Sequence, residues 1–196
     1  MSLSEKKIAK KSNYSPPFMG GVRGWVFLKR LRHCAGFGIQ SPTDYAFVRE
    51  VIYERWPYAL YAELEAKFYG TNSFLLKLSQ LLLRVSNYAQ VSRIGIIGTL
   101  PPVMEAHLKA GCRKSETVQI VKSQKSKVKS QEYEASDFSH SSLAFCPTPL
   151  VIATELNEQW QAYISQEHII SFDLYYLGIA FYDEKRYREE HVVNFY

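Results

Sequence analysis

The stretch IGIIGTLPPVMEAHLKAG, residues 94–111, carries the residues best spaced for binding chemistry. An apolar run over residues 94–97 passes into Gly98 and Thr99, then into a helical pattern. A strand that turns through glycine into a helix start offers free backbone N–H groups to a nucleotide-like ligand. Pro101 and Pro102 stand where further glycine would help. A proline there removes a donor and adds bulk, although it also starts a helix well.

The other candidates are scattered. His33, His107, His140, His168 and His191 show no metal-ligand spacing to a cysteine or carboxylate, so each is read as a surface or packing residue. Asp137, Ser139 and His140 are close in sequence, but a catalytic triad needs a geometry that adjacent residues rarely supply. There is no Gly-x-Ser-x-Gly elbow and no P-loop. Cys34, Cys112 and Cys146 are odd in number and widely spaced, which points to free thiols rather than a disulfide framework or zinc site.

The elements that must position these residues change character near residue 90. Residues 1–22, with Ser, Lys, Pro-Pro and Gly-Gly, read as a flexible basic arm. Residues 23–89 read as helical: a short helix stopped by Gly36 and Gly38, then one capped by Ser41 or Thr43. A third opens at Pro57 and ends at Gly70. The clearest lies in TNSFLLKLSQLLLRVSNYAQ, with Phe74, Leu75, Leu78, Leu81, Leu82 and Val85 on one side. Residues 90–196 form the second unit. VSRIGIIG, PPVMEAHLKAG and ETVQIVK make a βαβ pattern, hence a parallel sheet. Two short apolar runs and a helix around Trp160 follow. HIISFDLYYLGIAFYD, the polar turn EKRYREE and HVVNFY then read as closing strands paired in an antiparallel hairpin, with their aromatics in the core.

Composition sets the bounds. A chain of 196 residues, 46% hydrophobic, has enough apolar material for a core, which excludes a wholly disordered protein. No apolar run approaches the roughly 20 residues of a membrane span, and no secretory signal opens the chain, so a cytoplasmic protein without membrane contact is expected. The net charge of +5 is concentrated: residues 1–33 carry +7, leaving −2 for the rest. A solvated tail is preferred over a nucleic-acid contact, because no stacking pattern accompanies the charge.

Three stretches together resemble a class I S-adenosylmethionine-dependent methyltransferase family common in Bacteroidetes-type bacteria. RHCAGFGIQSPTDYAFVREVIYERWPYALYAELE is similar to that family's leader, IGIIGTLPP stands in the place of its glycine-rich loop, and ISFDLYYLGIAFYDEKRYREEHVVNFY is similar to its closing hairpin. The resemblance implies a Rossmann-like α/β fold, mostly parallel with an antiparallel C-terminal hairpin, behind a helical N-terminal segment. It also implies cofactor positions at Gly98, Thr99, Lys122 and Asp137.

The departures gather at those positions. Ile96 stands where the resemblance implies an acid for the methionine part, and Pro102 replaces the second glycine. Lys122 replaces the carboxylate for the ribose hydroxyls; an ammonium has no acceptor lone pair. With Lys125, Lys127 and Lys129 it reads as a solvated helix face. Asp137 keeps a place where it could reach the adenine amino group. Thr154, Glu155 and Asn157 replace the Asp-Asp-x-His strand end of metal-dependent members, so no metal is expected. A helical crossover before residue 150 is missing or compressed. The expectation is a methyltransferase-like protein that has lost S-adenosylmethionine binding and catalysis and acts through binding or regulation, a protein being one candidate partner. The alternative is an active methyltransferase with an altered pocket, Glu105 replacing the lost acid. A second alternative is a nucleic-acid binder using the basic segments.

Overall fold

The computed structural model of the chain describes residues 28–120 and 148–195. A short 3-10 stretch, Leu31–Gly36, ends with Ala35 and Gly36 in the left-handed region, where the chain turns toward the first α-helix. Helix α1, Pro42–Phe47, starts as its sequence dictates: Ser41 accepts the Asp44 N–H at the N-terminus and Pro42 occupies the first turn. It runs on through a π-helical turn, Val48–Ile52. Helix α2, Ala59–Lys67, starts with Tyr58 as its N-cap, so the expected first-turn proline, Pro57, lies just outside it. Helix α3, Ser73–Ala89, is capped by the Asn72 side chain, which accepts the Phe74 N–H at 2.8 Å.

The sheet has six strands: β1, Arg93–Ile97; β2, Glu116–Gln119; β3, Leu150–Ala153; β4, Ile169–Asp173; β5, Gly178–Tyr182; and β6, Glu189–Val192. Their order is β2-β1-β3-β5-β4-β6. β1 is parallel to both β2 and β3, and β4 to β6, while β5 opposes β3 and β4. The result is a mixed α/β fold on a mostly parallel sheet. Helix α4, Pro102–Gly111, is the crossover between β1 and β2, and α5, Glu158–Ile164, lies between β3 and β4. The expected βαβ unit is present.

Alternation along the strands sorts the core into two layers. Ile94, Ile96, Leu150, Ile152 and Phe172 pack with Val48, Leu81, Leu82, Val85 and Leu108 from the π turn, α3 and α4. Ile97, Val151, Ala153 and Ala180 face the other way, against Trp160, Tyr163 and Ile164 of α5. Each fully buried leucine of this kind contributes about 1.5–3 kcal/mol. The α3 stripe therefore covers the sheet, and the helical leader shares the sheet's core. Gly111 closes α4 directly on α3: a Cβ there would sit 2.1 Å from Ser86 Oγ and 2.3 Å from the Leu83 carbonyl oxygen. No side chain fits.

The C-terminus corrects one expectation. The hairpin turns at residues 174–177, between β4 and β5, not at EKRYREE. The EKRYREE segment instead leads to β6, which pairs in parallel with β4, Phe172 opposite His191. Two bonds to one residue hold that passage: Asp183 N–H to the His168 carbonyl at 3.0 Å, and His168 Nδ1 with the Arg186 carbonyl at 2.7 Å. Local alternation marks a strand but not its neighbour, so it does not distinguish the reversal into β5 from the one into β6. Of the closing aromatics, Phe172 is in the core and Phe181 packs against it, both meeting Phe47 with ring centroids 4.7 and 5.1 Å away, while Tyr175 is exposed.

Candidate functional site

In an open α/β sheet, ligands bind outside the carboxyl ends of the strands where successive connections leave in opposite directions. That point lies between β1 and β3, because β1 is followed by β2 on one side and flanked by β3 on the other. The residues at the two carboxyl ends are Gly98 and Thr154. Gly98 has φ 92°, the left-handed region in which only glycine is unstrained. A Cβ on it would stand 2.5 Å from Thr154 Oγ1 and 3.1 Å from Glu155 Cγ. Thr154 and Glu155 thus fill the space against Gly98 on its β3 side.

Its polar groups are occupied as well. Thr154 Oγ1 lies 3.3 Å from the Ile97 carbonyl oxygen and 3.1 Å from that of Thr99, bridging the turn. Gln119 Nε2 donates to the Gly98 carbonyl at 2.7 Å. Ile96 is buried in the core. Pro101 is the N-cap of α4 and Pro102 its first residue; the N-cap offers no side-chain bond to the helix. Beside the turn lies a cleft of about 360 Å³ lined by Ile96, Gly98, Thr99, Leu100, Glu105 and Gln119, among others. Glu105 does reach this cleft, but its carboxylate already accepts from Lys109 Nζ at 2.7 Å, one turn along α4.

Of the sequence-predicted positions, Gly98 and Thr99 meet in one turn, and Thr154 and Glu155 lie against it. Asn157 turns away and caps α5, its Oδ1 accepting the Gln159 N–H at 3.0 Å. Glu155 does reach Asn157 Nδ2, at 3.4 Å. Lys122, the other lysines of its segment, Asp137, Ser139, His140, Cys146 and the compressed crossover lie outside the described residues, as does the basic arm. Cys34 and Cys112 are free thiols.

A second cluster escaped the sequence reading. Asp44 of α1 is buried and takes both Arg186 guanidinium nitrogens on its two oxygens, Nη1 at 2.6 Å. His191 Nε2 stands 3.0 Å from the same carboxylate and 3.3 Å from Glu189 Oε2. Burial opposes the Asp44 charge, but the hydrogen bonds from Arg186 and His191 outweigh it and hold the carboxyl well below the usual carboxylate range. His191 is therefore a partner of carboxylates, contrary to the expectation for the five histidines. Asp44, Glu189 and His191 together could offer a metal three ligand atoms within 4.8 Å of one another. Arg186 already supplies the positive charge and bonds both Asp44 oxygens, so the donor set fits a clamp between chain segments better than a cation. A separation of 147 residues gave the sequence no signal of it.

Among the described residues, no helix is long and apolar enough to cross a membrane. No family model matches the chain, and neither the curated proteins nor the solved structures contain a match to it.

Proposed function

We propose that the protein is a methyltransferase-like fold that no longer takes S-adenosylmethionine and works by binding a partner. The observation carrying this reading is the Thr154 side chain, which bridges the Ile97 and Thr99 carbonyls across the crevice between β1 and β3. Packed on Gly98, it fills the side of the turn facing β3, one of the places where backbone approach to a cofactor is needed. Supporting the reading, Ile96 supplies no charge and Pro102 no N–H. A strand order with one antiparallel member, β5, inside an otherwise co-directional sheet agrees with the Rossmann-like methyltransferase architecture that the sequence resembles. Each hydrogen bond to a charged cofactor group is worth about 1.5–3 kcal/mol, so losing several removes tight binding.

Calorimetric titration of the full chain with S-adenosylmethionine and S-adenosylhomocysteine tests it. No heat and no thermal shift at millimolar ligand is the expected result. Micromolar binding abolished by Gly98→Ala would overturn it and make Glu105 the acid to substitute next.

A further inference from the structure

A second groove lies between the loop over residues 53–58 and the facing sides of α2 and α3. Its volume is about 720 Å³, within the range of small-molecule sites. Its floor holds a charge without a counter-charge. Arg84, buried in the apolar face of α3, donates through Nε to the Val51 carbonyl at 2.7 Å, through Nη2 to that of Ile52 at 3.1 Å, and through Nη1 to the Tyr61 hydroxyl at 3.1 Å. These partners close the end of the π-helical turn with dipoles. Among the described residues, no carboxylate pairs with Arg84.

The groove's two carboxylates are engaged with neutral donors instead. Glu54 accepts the Tyr58 hydroxyl on both oxygens, at 2.8 and 2.9 Å, and Glu65 accepts from Gln80 at 2.7 Å. Arg55 and Lys77, also on the lining, have no hydrogen-bond or ion-pair partner among the described residues. Three cations thus share the groove with two carboxylates held by Tyr58 and Gln80 of the same lining, leaving one positive charge in excess. At the rim stands Trp56, its surface 76% exposed, beside Tyr58 and Tyr61, whose rings meet edge to face with centroids 5.3 Å apart. An exposed indole next to unpaired cations suits a ligand with a flat ring and one anionic group: the ring stacks, and the anion meets the cations.

We propose that this groove binds a small aromatic anion, its carboxylate or phosphate on Lys77, Arg55 and the Arg84 floor and its ring on Trp56. The inference is independent of whether the Gly98 crevice takes a cofactor. Two sources share this chemistry, an aromatic carboxylate and a nucleoside monophosphate.

Calorimetry on the full chain with 1-naphthoate, adenosine 5′-monophosphate, adenosine and inorganic phosphate tests it. Saturable binding of the first or second, with adenosine and phosphate each at least about tenfold weaker, is expected. Naphthoate alone binding identifies the carboxylate source, and the nucleotide alone the phosphate source. Trp56→Ala and Lys77→Gln, both at exposed side chains, should each weaken binding about tenfold with an unchanged unfolding midpoint. No saturable heat from either anion overturns the inference. So does binding that both variants leave intact, since that would lie elsewhere, the Gly98 cleft included.

Discussion

The Gly98 crevice and the Asp44 clamp are opposites. At Gly98, residues whose order in sequence promises chemistry meet in space, and what they form is a turn packed on itself. At Asp44, four residues with no promise in sequence converge into an ionic network around one buried carboxylate. The difference is in what each group already holds. Thr154 and Gln119 satisfy the loop carbonyls, and Arg186 satisfies both oxygens of Asp44. A converging set of polar groups is available for a ligand only to the extent that its members are not already bound to one another. By that test both places are structural, whereas Arg55 and Lys77 on the lining of the Arg84 groove hold no partner among the described residues.

The largest expected effect sits at the clamp. Asp44→Asn leaves the Arg186 guanidinium and His191 facing an amide in a buried place, and should cost about 3–5 kcal/mol by urea denaturation. A loss below 1 kcal/mol would mean the clamp is as weak as an ordinary surface pair. Next comes the crevice. Gly98→Ala combines left-handed strain with a 2.5 Å approach to Thr154 Oγ1, for a loss of about 2 kcal/mol. Adding Thr154→Gly should recover about half of that by removing the contact, while a purely additive double variant would show that Thr154 does not close the crevice.

A smaller effect separates the clamp from the helix interface. His107 is buried on α4, its Nδ1 on the Val103 carbonyl at 2.8 Å and its Nε2 without a partner, and burial pushes its imidazole below 6.5. The unfolded chain then binds the proton more readily than the folded one. The stability this histidine permits is complete above pH 6.5 and is lost as pH falls below it. Asp44 has the carboxylate form of the same sign: its contribution is present above the ordinary value of 3.8 and is lost at more acid pH, through its lowered folded value. Denaturation midpoints of His107→Leu should therefore be flatter than wild type just below pH 6.5 and parallel to it below 3.8. Parallel curves throughout would remove His107 from the account. The least effect belongs to Thr154→Val, about 1 kcal/mol for the bridging hydroxyl, read as a small shift in the melting midpoint.

What the sequence made legible follows from range. The α3 stripe and the Gly98 turn depend on neighbours within one or two turns of chain, and both are found where the pattern puts them. Pro102 starts α4 for the same local reason. The order of β6 beside β4 depends on which strand edge is free when the chain returns, and nothing in HVVNFY encodes it. Arg84 shows the limit from within a legible element. In LLLRV it interrupts an apolar face, which marks it as unusual, yet its carbonyl partners come from residues 51 and 52, 33 and 32 positions earlier. Gln119 and Thr154 were equally hidden, since their role is to face a turn formed elsewhere.

The clamp also sets a schedule. Asp44 leaves the ribosome 142 residues before Arg186 and 147 before His191. At about 5–20 residues per second, its partners follow on the order of ten seconds later. Throughout that interval the leader helices have an acidic group destined for burial and no cation to neutralise it, while Phe47 and Leu81 await the strands they cover. Closure of the clamp therefore waits on the segment over residues 186–191.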